Sequence, residues 1–489
     1  MYHSIKFMIK PKDPLYSYCN TTTIAANNLR NAALFRVRQV LTLVEKPVSA
    51  LTDNERFVLN EIECNLPIMG TKHVLPSRGK AFLSHPFLDS LMKHSCNPDY
   101  FAKDLSRQTA QHVLRDVANS MKAFYAACKA YGKNPDAFTG KPKLPDYGKR
   151  GSNHSVVLTN QDCTVYSCKD ESHEVKLPIT KLRFNLGKVP IPGTLQQANI
   201  VPTHDVFYLI LVFDDGQTPP PQKPPKRIVA IDIGVNNIAA ITNNIGLSCL
   251  LFKGKILKAI NQDYNKRMAK IKSNQTKGTT NKFVPTTESI RLGLLRENRM
   301  QDFISKVSAQ IIAWCVENQI DTIVIGTNRF WKQNSDLRKK ENQSFVQLPF
   351  DSIRWQIAYR AERLGIRVIE QEESYTSKAS FVNNDYIPSY KVDDAMAKFT
   401  GSRISRGLYL NYNGIQINAD LNGSANIGRK ALPDCFVTGT IPDFNQVIVI
   451  TAPDYKANKA NQEKQLLNPI LISRAKARRL KKKQVILIG

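Results

Sequence analysis

The stretch RIVAIDIGVNNIAAIT, residues 227–242, predicts two strands joined by a tight turn. Residues 228–231 are apolar and mostly β-branched, and Gly234 opens the turn, which is the pattern of a short buried strand. Asp232 is the carboxylate that interrupts this run. An unpaired carboxylate in a central strand is costly, which favours a functional site at Asp232. The structural alternative is that Asp232 caps the turn at residues 234–237, and this stretch alone does not separate the two.

The chain is strongly basic: its 489 residues carry 69 Lys and Arg against 41 Asp and Glu, a formal net charge of +28. With a hydrophobic content of 42%, this charge favours a folded protein that binds a polyanion, and nucleic acid is the first candidate. We find no apolar run of transmembrane length and no signal peptide, and the nine cysteines form no C-x-x-C pair. These features predict reduced thiols in an intracellular protein, cytoplasmic and at the nucleoid in a prokaryote, or nuclear in a eukaryote.

The amino-terminal half predicts a β-barrel with helices inserted into it. Residues 1–20 and 148–218 contain short β-branched or aromatic segments separated by turn residues, and the first strand of the barrel is expected near residues 3–10. Residues 21–147 are mainly helical, with the clearest helical pattern at 107–132. Such a barrel often carries nucleic acid on an open face, whereas the helices alone are equally explained by an ordinary bundle.

A proline-rich linker at residues 219–226 predicts a domain boundary. Beyond it the predicted order is three antiparallel strands, helix, strand, helix, strand, insertion, and then an Asp at a helix start. That is the order of an RNase H-like α/β domain, which we place at residues 227–434. Residues 435–489 are predicted to form a basic tail that contains RAKARRLKKK at 474–483.

Two carboxylates stand where such a sheet places metal ligands. Asp232 lies in the central strand, and Asp420 lies at the start of the last helix. Carboxylates that converge in this way can hold two Mg²⁺ ions roughly 3.5–4 Å apart, one to activate water and one to stabilise the leaving oxygen. The sequence therefore predicts Mg²⁺-dependent hydrolysis of a phosphodiester bond.

Four segments also resemble a known family. In chain order they are IDIGVNNIAAIT (231–242), IDTIVIGTNRFWKQ (320–333), EESYTSKASF (372–381) and NADLNGSANIGRKA (418–431). They resemble the split RuvC motifs of TnpB, the transposon-encoded RNA-guided nucleases related to type V CRISPR effectors and to Fanzor proteins. The resemblance implies an RNA-guided DNA endonuclease whose partners are a guide RNA and double-stranded target DNA with a short adjacent motif. It also implies that the barrel is a wedge domain and that the inserted helices are a recognition lobe.

The second carboxylate departs from many relatives, which place it directly after the strand that matches DTIVIG. Here that strand ends in Gly326-Thr327-Asn328, without an acid. In a Fanzor-like subgroup the acid is supplied some tens of residues later, and the resemblance then implies Glu373. Glu370 and Glu372 are rivals, and a solvated acidic turn is the structural alternative. The predicted catalytic and metal-binding residues are Asp232, Glu373 and Asp420.

The insertion at residues 376–419 departs from the family as well. Relatives often carry a four-cysteine zinc ribbon there, whereas this segment has no cysteine, and Ser380 and Asn383 stand about where the first C-x-x-C would fall. We therefore expect no zinc. Two other functions remain open: an RNA-guided DNA-binding repressor with impaired cleavage, and a transposase that acts directly on DNA. Side chains that could contact nucleic acid, with packing or solvation as the alternative, are Trp331, Lys332, Ser377, Lys378, Arg403 and Arg406.

Overall fold

The computed structural model describes residues 1–278, 282–328, 347–389, 398–405, 407–412, 414–438 and 443–451. The chain divides into two compact units, Met1–Gln217 and Thr218–Gly489. This division lies at the start of the predicted proline-rich linker. Within the described ranges, no helix is both long enough and apolar enough to cross a membrane.

The first unit contains antiparallel strands that are far apart in the sequence. Strand β1 (Tyr2–Ile9) pairs with β7 (Val206–Asp214), so the chain between them is inserted between two neighbouring strands, as predicted. The intervening strands are β2 (Val156–Thr159), β3 (Thr164–Ser167), β4 (His173–Lys176), β5 (Arg183–Gly187) and β6 (Thr194–Thr203). They form one sheet of order β1-β7-β6-β2 and a second of order β3-β4-β5. Because the pairing gives two separate sheets, the closed wedge barrel stays a prediction.

Helices occupy the inserted segment: α1 (Tyr16–Leu43), α2 (Asp53–Met69), α3 (His85–His94) and α4 (Arg107–Lys133). The α4 bounds match the predicted helix, and the Ser106 side chain caps it by accepting a hydrogen bond from the Thr109 N–H. The predicted boundary at residue 21 is wrong, because α1 begins five residues earlier. Leu15 and Cys19 are buried and extend the apolar face of the helix toward its amino terminus.

The second unit is built on a six-stranded sheet. Its strands are β8 (Ile228–Asp232), β9 (Asn237–Asn243), β10 (Ser248–Lys253), β11 (Thr322–Thr327), β12 (Arg367–Glu372) and, numbered last in the chain, β16 (Asp443–Ile450). They lie in the order β12-β11-β8-β9-β10-β16. Strands β8 to β10 are antiparallel, whereas β11 is parallel to both β8 and β12. These strand directions are those of the predicted RNase H-like sheet.

Helices cover both faces of this sheet: α5 (Lys255–Thr276), α6 (Thr287–Glu317), α7 (Phe350–Glu362), α8 (Ala419–Ala431) and the short α9 (Pro433–Thr438). Val229 and Ile231 of β8 belong to the core that includes α6 and α7. Ile228 and Ala230 belong to the core that includes α8. Because side chains alternate along a strand, Asp232 shares the α8 face with Ile228 and Ala230.

The predicted carboxyl-terminal boundary at residue 434 is wrong for residues 443–450. These residues form β16, which pairs in parallel with β10 at the edge of the sheet. Asp443, Asn445 and Gln446 give the strand a polar first half, and Ile448 and Val449 remain about half exposed, as suits an edge strand. The predicted tail segment 474–483 lies outside the described residues.

The insertion contains a small antiparallel sheet. Its strands are β13 (Ser402–Ser405), β14 (Leu408–Leu410) and β15 (Gln416–Asn418), in the order β13-β14-β15. Strand β15 leads directly into α8. The insertion is therefore joined to the helix that carries Asp420.

Candidate active site

Asp232 is the last residue of β8 and lies against α8. A Cβ atom added to Gly423 of α8 would lie 2.8 Å from Asp232 Oδ2, so the glycine provides the space for this carboxylate. Burial, together with repulsion from Glu373 and Asp420, raises the pKa of Asp232 well above its ordinary value, although Arg403 acts in the opposite direction. The turn after β8 is closed by a backbone bond from Gly234 N–H to the Asn237 carbonyl, at 3.0 Å. This backbone hydrogen bond closes the turn, a role that the structural alternative had given to capping by Asp232.

Glu373 directly follows β12 and reaches across the neighbouring strand. Its N–H donates to the Thr327 carbonyl at 3.2 Å, which continues the pairing with β11. A Cβ atom at Gly326 would lie 2.7 Å from Glu373 Oε2, so the carboxylate occupies the space above this glycine. Burial, with repulsion from Glu372, raises the pKa of Glu373 to about 7, while Arg354 lowers it. Strand β11 ends without an acid, and the carboxylate of Glu373, which follows the adjacent strand β12, lies beside it.

The two rival carboxylates lie elsewhere. Glu370 and Glu372 alternate onto the same exposed side of β12. Glu372 accepts hydrogen bonds from Lys430 Nζ at 2.8 Å and from the Ser374 N–H at 2.7 Å. Partial burial favours the neutral form, but these hydrogen bonds outweigh it and lower the pKa of Glu372 below its ordinary value. The geometry thus favours Glu373 as the partner of Asp232, and its catalytic role stays a prediction.

Asp420 lies in the first turn of α8. The Asn418 side chain caps this helix by accepting from the Asp420 N–H at 3.0 Å. The carboxylate is held from two sides: Oδ1 accepts from Arg403 Nη2 at 3.1 Å, and Oδ2 accepts from Asn237 Nδ2 at 2.6 Å. A negative charge at this end of a helix is also favoured by the helix dipole.

Two positioning side chains, Asn237 and Lys253, are not predicted from the sequence. Lys253 Nζ donates to Asn237 Oδ1 at 2.9 Å. Because an ammonium group can only donate, it fixes the amide with Nδ2 facing Asp420. The Asn pair in the turn after Asp232 was a usable signal for Asn237. Lys253 gave none, since its contact depends on how β10 pairs with β9.

Helix α8 also holds the loop that follows Glu373. Asn422 Oδ1 accepts from the Phe381 N–H at 3.0 Å, and its Nδ2 donates to the Ala379 carbonyl at 2.8 Å. One turn later, Asn426 Nδ2 donates to the Thr376 carbonyl at 2.8 Å. Both asparagines are fully buried, so these bonds are shielded from water.

A buried polar cluster ties the same loop to the insertion. Ser380 Oγ lies 2.7 Å from Asn383 Oδ1 and 2.6 Å from Asn411 Oδ1. Asp385 accepts from the Ser380 N–H at 2.7 Å and from Thr400 Oγ1 at 2.6 Å. The positions considered for a first C-x-x-C thus belong to a hydrogen-bonded cluster. The expected absence of zinc stays a prediction.

The three carboxylates converge without being preassembled as a metal centre. Among the residues that the structure describes, no group of three or more His, Cys, Asp or Glu side chains is arranged to hold a metal ion. Both Asp420 oxygens accept hydrogen bonds, from Arg403 and from Asn237. The donors nevertheless fit Mg²⁺, because all are carboxylate oxygens and their mutual repulsion would be relieved by a cation.

The other predicted contact residues divide into three groups. Ser377 and Lys378 are exposed on the turn after Glu373, with Lys378 Nζ 5.7 Å from the centroid of the Tyr375 ring. Arg403 forms an ion pair with Asp420 and is part of the carboxylate site itself. Trp331, Lys332 and Arg406 lie outside the described residues.

Comparison with known proteins gives two family matches, which together lie within residues 211–427. Residues 211–331 match the family OrfB_IS605, described as "Probable transposase", and residues 350–427 match the family described as "Cas12f1-like, TNB domain". The first match includes Asp232, and the second includes Glu373 and Asp420. A TnpB-like protein, ORF457, of Acidianus two-tailed virus is 26% identical over 211 residues. That alignment spans 42% of this chain and 42% of the viral protein.

Solved structures of type V effectors are more distant. A Cas12f1–sgRNA–target DNA complex is 13% identical, with a TM-score of 0.32, over 88% of this chain and 100% of that one. The mini-RNA-guided endonuclease CRISPR-Cas_phi3 is 11% identical, with a TM-score of 0.40, over 88% of this chain and 92% of that one.

Proposed function

We propose that this TnpB-family protein is an RNA-guided DNA endonuclease of a transposon that hydrolyses phosphodiester bonds with Mg²⁺. The observation that carries the proposal is the convergence of Asp232, Glu373 and Asp420 from two strands and one helix of an RNase H-like sheet. Burial, together with repulsion from Glu373 and Asp420, raises the pKa of Asp232, and this arrangement of acids is unfavourable unless a cation binds there.

The three carboxylates would hold the Mg²⁺ ions, which supply an activated water and charge stabilisation at the scissile phosphate. Movement of Arg403 away from Asp420 Oδ1 would make that oxygen more accessible to a metal ion. Its guanidinium group is then free to pair with a phosphate oxygen of the DNA. Asn237, held by its hydrogen bond from Lys253, would keep its own hydrogen bond to Asp420 Oδ2 and so maintain the orientation of the Asp420 carboxylate.

The guide RNA would supply the sequence specificity of the enzyme. Base pairing selects the target, and the protein reads the shape of the heteroduplex and a short adjacent motif. An RNA partner would also offset much of the +28 charge. The first unit, with its two sheets and inserted helices, would serve as the wedge and recognition lobe that bind this RNA.

The test is cleavage of a plasmid library with a randomised flank, using protein expressed with its own downstream RNA region and Mg²⁺. Wild type is compared with Asp232→Ala, Glu373→Ala and the control Glu372→Ala. We expect wild type and the control to cut next to one short motif and the other two variants to bind without cutting. Cutting that survives Glu373→Ala would remove Glu373 from the site.

One observation favours a second candidate, the guided repressor. Both oxygens of Asp420 are engaged, and the described residues form no assembled metal site. Guided binding by wild type with no cutting at any Mg²⁺ concentration would establish that function. A transposase that acts directly on DNA would need no RNA, so a 260/280 absorbance ratio that ribonuclease does not lower would support it.

A further inference from the structure

The outward face of α7 carries two exposed aromatic side chains. Trp355 is 77% exposed and Tyr359, one turn later, is 45% exposed. The opposite face of the same helix is fully buried through Ile353, Ile357 and Ala361. The helix is therefore firmly packed, and its aromatic residues face away from the core. A tryptophan this exposed on a packed helix is unusual for a side chain without a binding role.

An arginine extends this row by one more turn. Arg363 Nη1 donates to the Tyr359 hydroxyl at 3.2 Å, and its guanidinium carbon lies 5.7 Å from the Tyr359 ring centroid. Residues four apart in a helix are separated by about 6 Å along its axis. Trp355, Tyr359 and Arg363 thus present three planar groups in a line on one side of α7. We call this set the planar row.

One end of the planar row lies toward the end of β12 that Glu373 follows. Arg354, the neighbour of Trp355, forms an ion pair with Asp351 in the first turn of α7. Helix α7 ends at Glu362 and β12 begins at Arg367 after a short turn, so the helix runs back along the sheet and its first turns lie toward the carboxyl end of β12. A strand that follows the planar row would therefore run toward the candidate active site.

We propose that the planar row is a stacking platform for the bases of an unpaired DNA strand that enters the active site. The inference rests on the proposed function, since the strand is taken to be the substrate. Planar aromatic and guanidinium groups stack on any base, and this stacking is largely independent of sequence. The overall charge of +28 favours a polyanion as the partner.

Charged neighbours of the planar row disfavour the core of a protein interface and constrain how a DNA strand can lie. Asp351 and Glu362 are exposed on the same side of α7, so the aromatic residues stand among charged groups. The cores of protein interfaces are depleted in such charges. These two acids would also repel phosphate groups, which favours an orientation with the bases toward the helix and the phosphates turned away.

The experiment compares a fluorescent 15-nucleotide oligo-dT with an abasic strand of the same length by fluorescence anisotropy. The full-length protein is used with its co-purified RNA, and EDTA prevents cleavage. The variants are Trp355→Ala/Tyr359→Ala and the conservative Trp355→Phe. Tyr412→Ala is the matched control, because Tyr412 is 80% exposed in the same unit.

Loss of stacking on two bases is expected to weaken oligo-dT binding by about 30-fold or more in the double variant. Trp355→Phe and Tyr412→Ala should stay within about threefold of wild type, and the abasic strand should bind all proteins alike. Equal oligo-dT binding by wild type and the double variant would overturn the proposal. An equal loss of affinity for oligo-dT and for the abasic strand in the double variant would also overturn it. A wild-type dimer that the double variant loses in light scattering would assign the planar row to a protein partner instead.

Plasmid cleavage by the same wild-type preparation separates this inference from the proposed function. If the wild-type protein prefers oligo-dT to the abasic strand but does not cleave the guided plasmid, the stacking platform is supported and the proposed nuclease function is refuted. If it cleaves the guided plasmid but does not prefer oligo-dT, the nuclease function is supported and the stacking platform is refuted.

Discussion

Gly326→Ala tests whether Glu373 really crosses β11 to reach the site. The added Cβ would lie 2.7 Å from Glu373 Oε2 and 2.6 Å from Ile427 Cδ1, both too close for unbonded atoms. The backbone at Gly326 does not have a positive φ, so the change acts through contact and not through backbone strain. Overpacking of this kind costs about 1–3 kcal/mol of folding free energy. A carboxylate displaced by about 1 Å should lower the rate of cleavage about 10²-fold.

The assay measures two quantities on the same protein: single-turnover cleavage of guided plasmid, and the free energy of unfolding from urea denaturation. Guided binding should remain as in wild type, because the change lies away from any proposed RNA contact. Two double variants separate the two clashes. Gly326→Ala/Ile427→Val removes the Ile427 Cδ1 atom and should recover stability but not cleavage. Gly326→Ala/Glu373→Asp shortens the acid by one methylene group and should recover part of the cleavage.

The matched control is Gly132→Ala, because a Cβ atom at Gly132 would meet no atom within 4 Å. Gly132 lies inside α4, so this control should leave cleavage unchanged and raise stability by at most about 1 kcal/mol, because alanine favours a helix over glycine. Wild-type cleavage by Gly326→Ala would refute the placement of Glu373 over β11. The second carboxylate would then have to be sought at Glu370 or Glu372.

Two further predictions concern the carboxylate site, and a third concerns the insertion. Glu373 has a pKa of about 7 against an ordinary 4.5, so in metal-free buffer its contribution to stability falls as pH rises from about 4.5 to about 7. The free energy of unfolding of Glu373→Gln, measured with urea, should therefore exceed that of wild type by at most about 3 kcal/mol at pH 8 and equal it near pH 4.5. A variant less stable than wild type at pH 8 would contradict a buried negative charge at Glu373. Arg403→Gln should bind Mg²⁺ several-fold more tightly in calorimetry without DNA, because Asp420 Oδ1 loses its competing cation, and unchanged affinity would show that Arg403 does not compete. The insertion is expected to hold no zinc, so elemental analysis of the purified protein should find far less than one zinc per chain, and stoichiometric zinc would overturn this.

Periodicity was sufficient to predict the central sheet. The runs at β8, β9 and β11 are mainly apolar, and β8 and β11 are rich in β-branched residues, which is typical of strands buried on both faces. Asp232 was recognisable because it breaks such a run. Strand β16 was not predicted, because aspartate, asparagine and glutamine dilute the apolar pattern in its first half.

The details of the site depend on contacts between distant residues. Gly326 looks like any strand-ending glycine until the neighbouring strand places Glu373 over it. Lys253 reaches Asp420 through Asn237, and this chain of contacts requires the register of β9 and β10. Arg403 looked like a surface contact for nucleic acid, whereas the insertion folds back and brings it to Asp420. Such relations are set by tertiary pairing, and a single sequence does not contain them.

Helix α8 gives the candidate site a common frame of reference. It carries Asp420, it provides through Gly423 the space for Asp232, and through Asn422 and Asn426 it anchors the loop that begins at Glu373. A small displacement of this helix would move the surroundings of all three acids together. The acids lie on three different elements, yet a change in this one helix would therefore disturb the whole site.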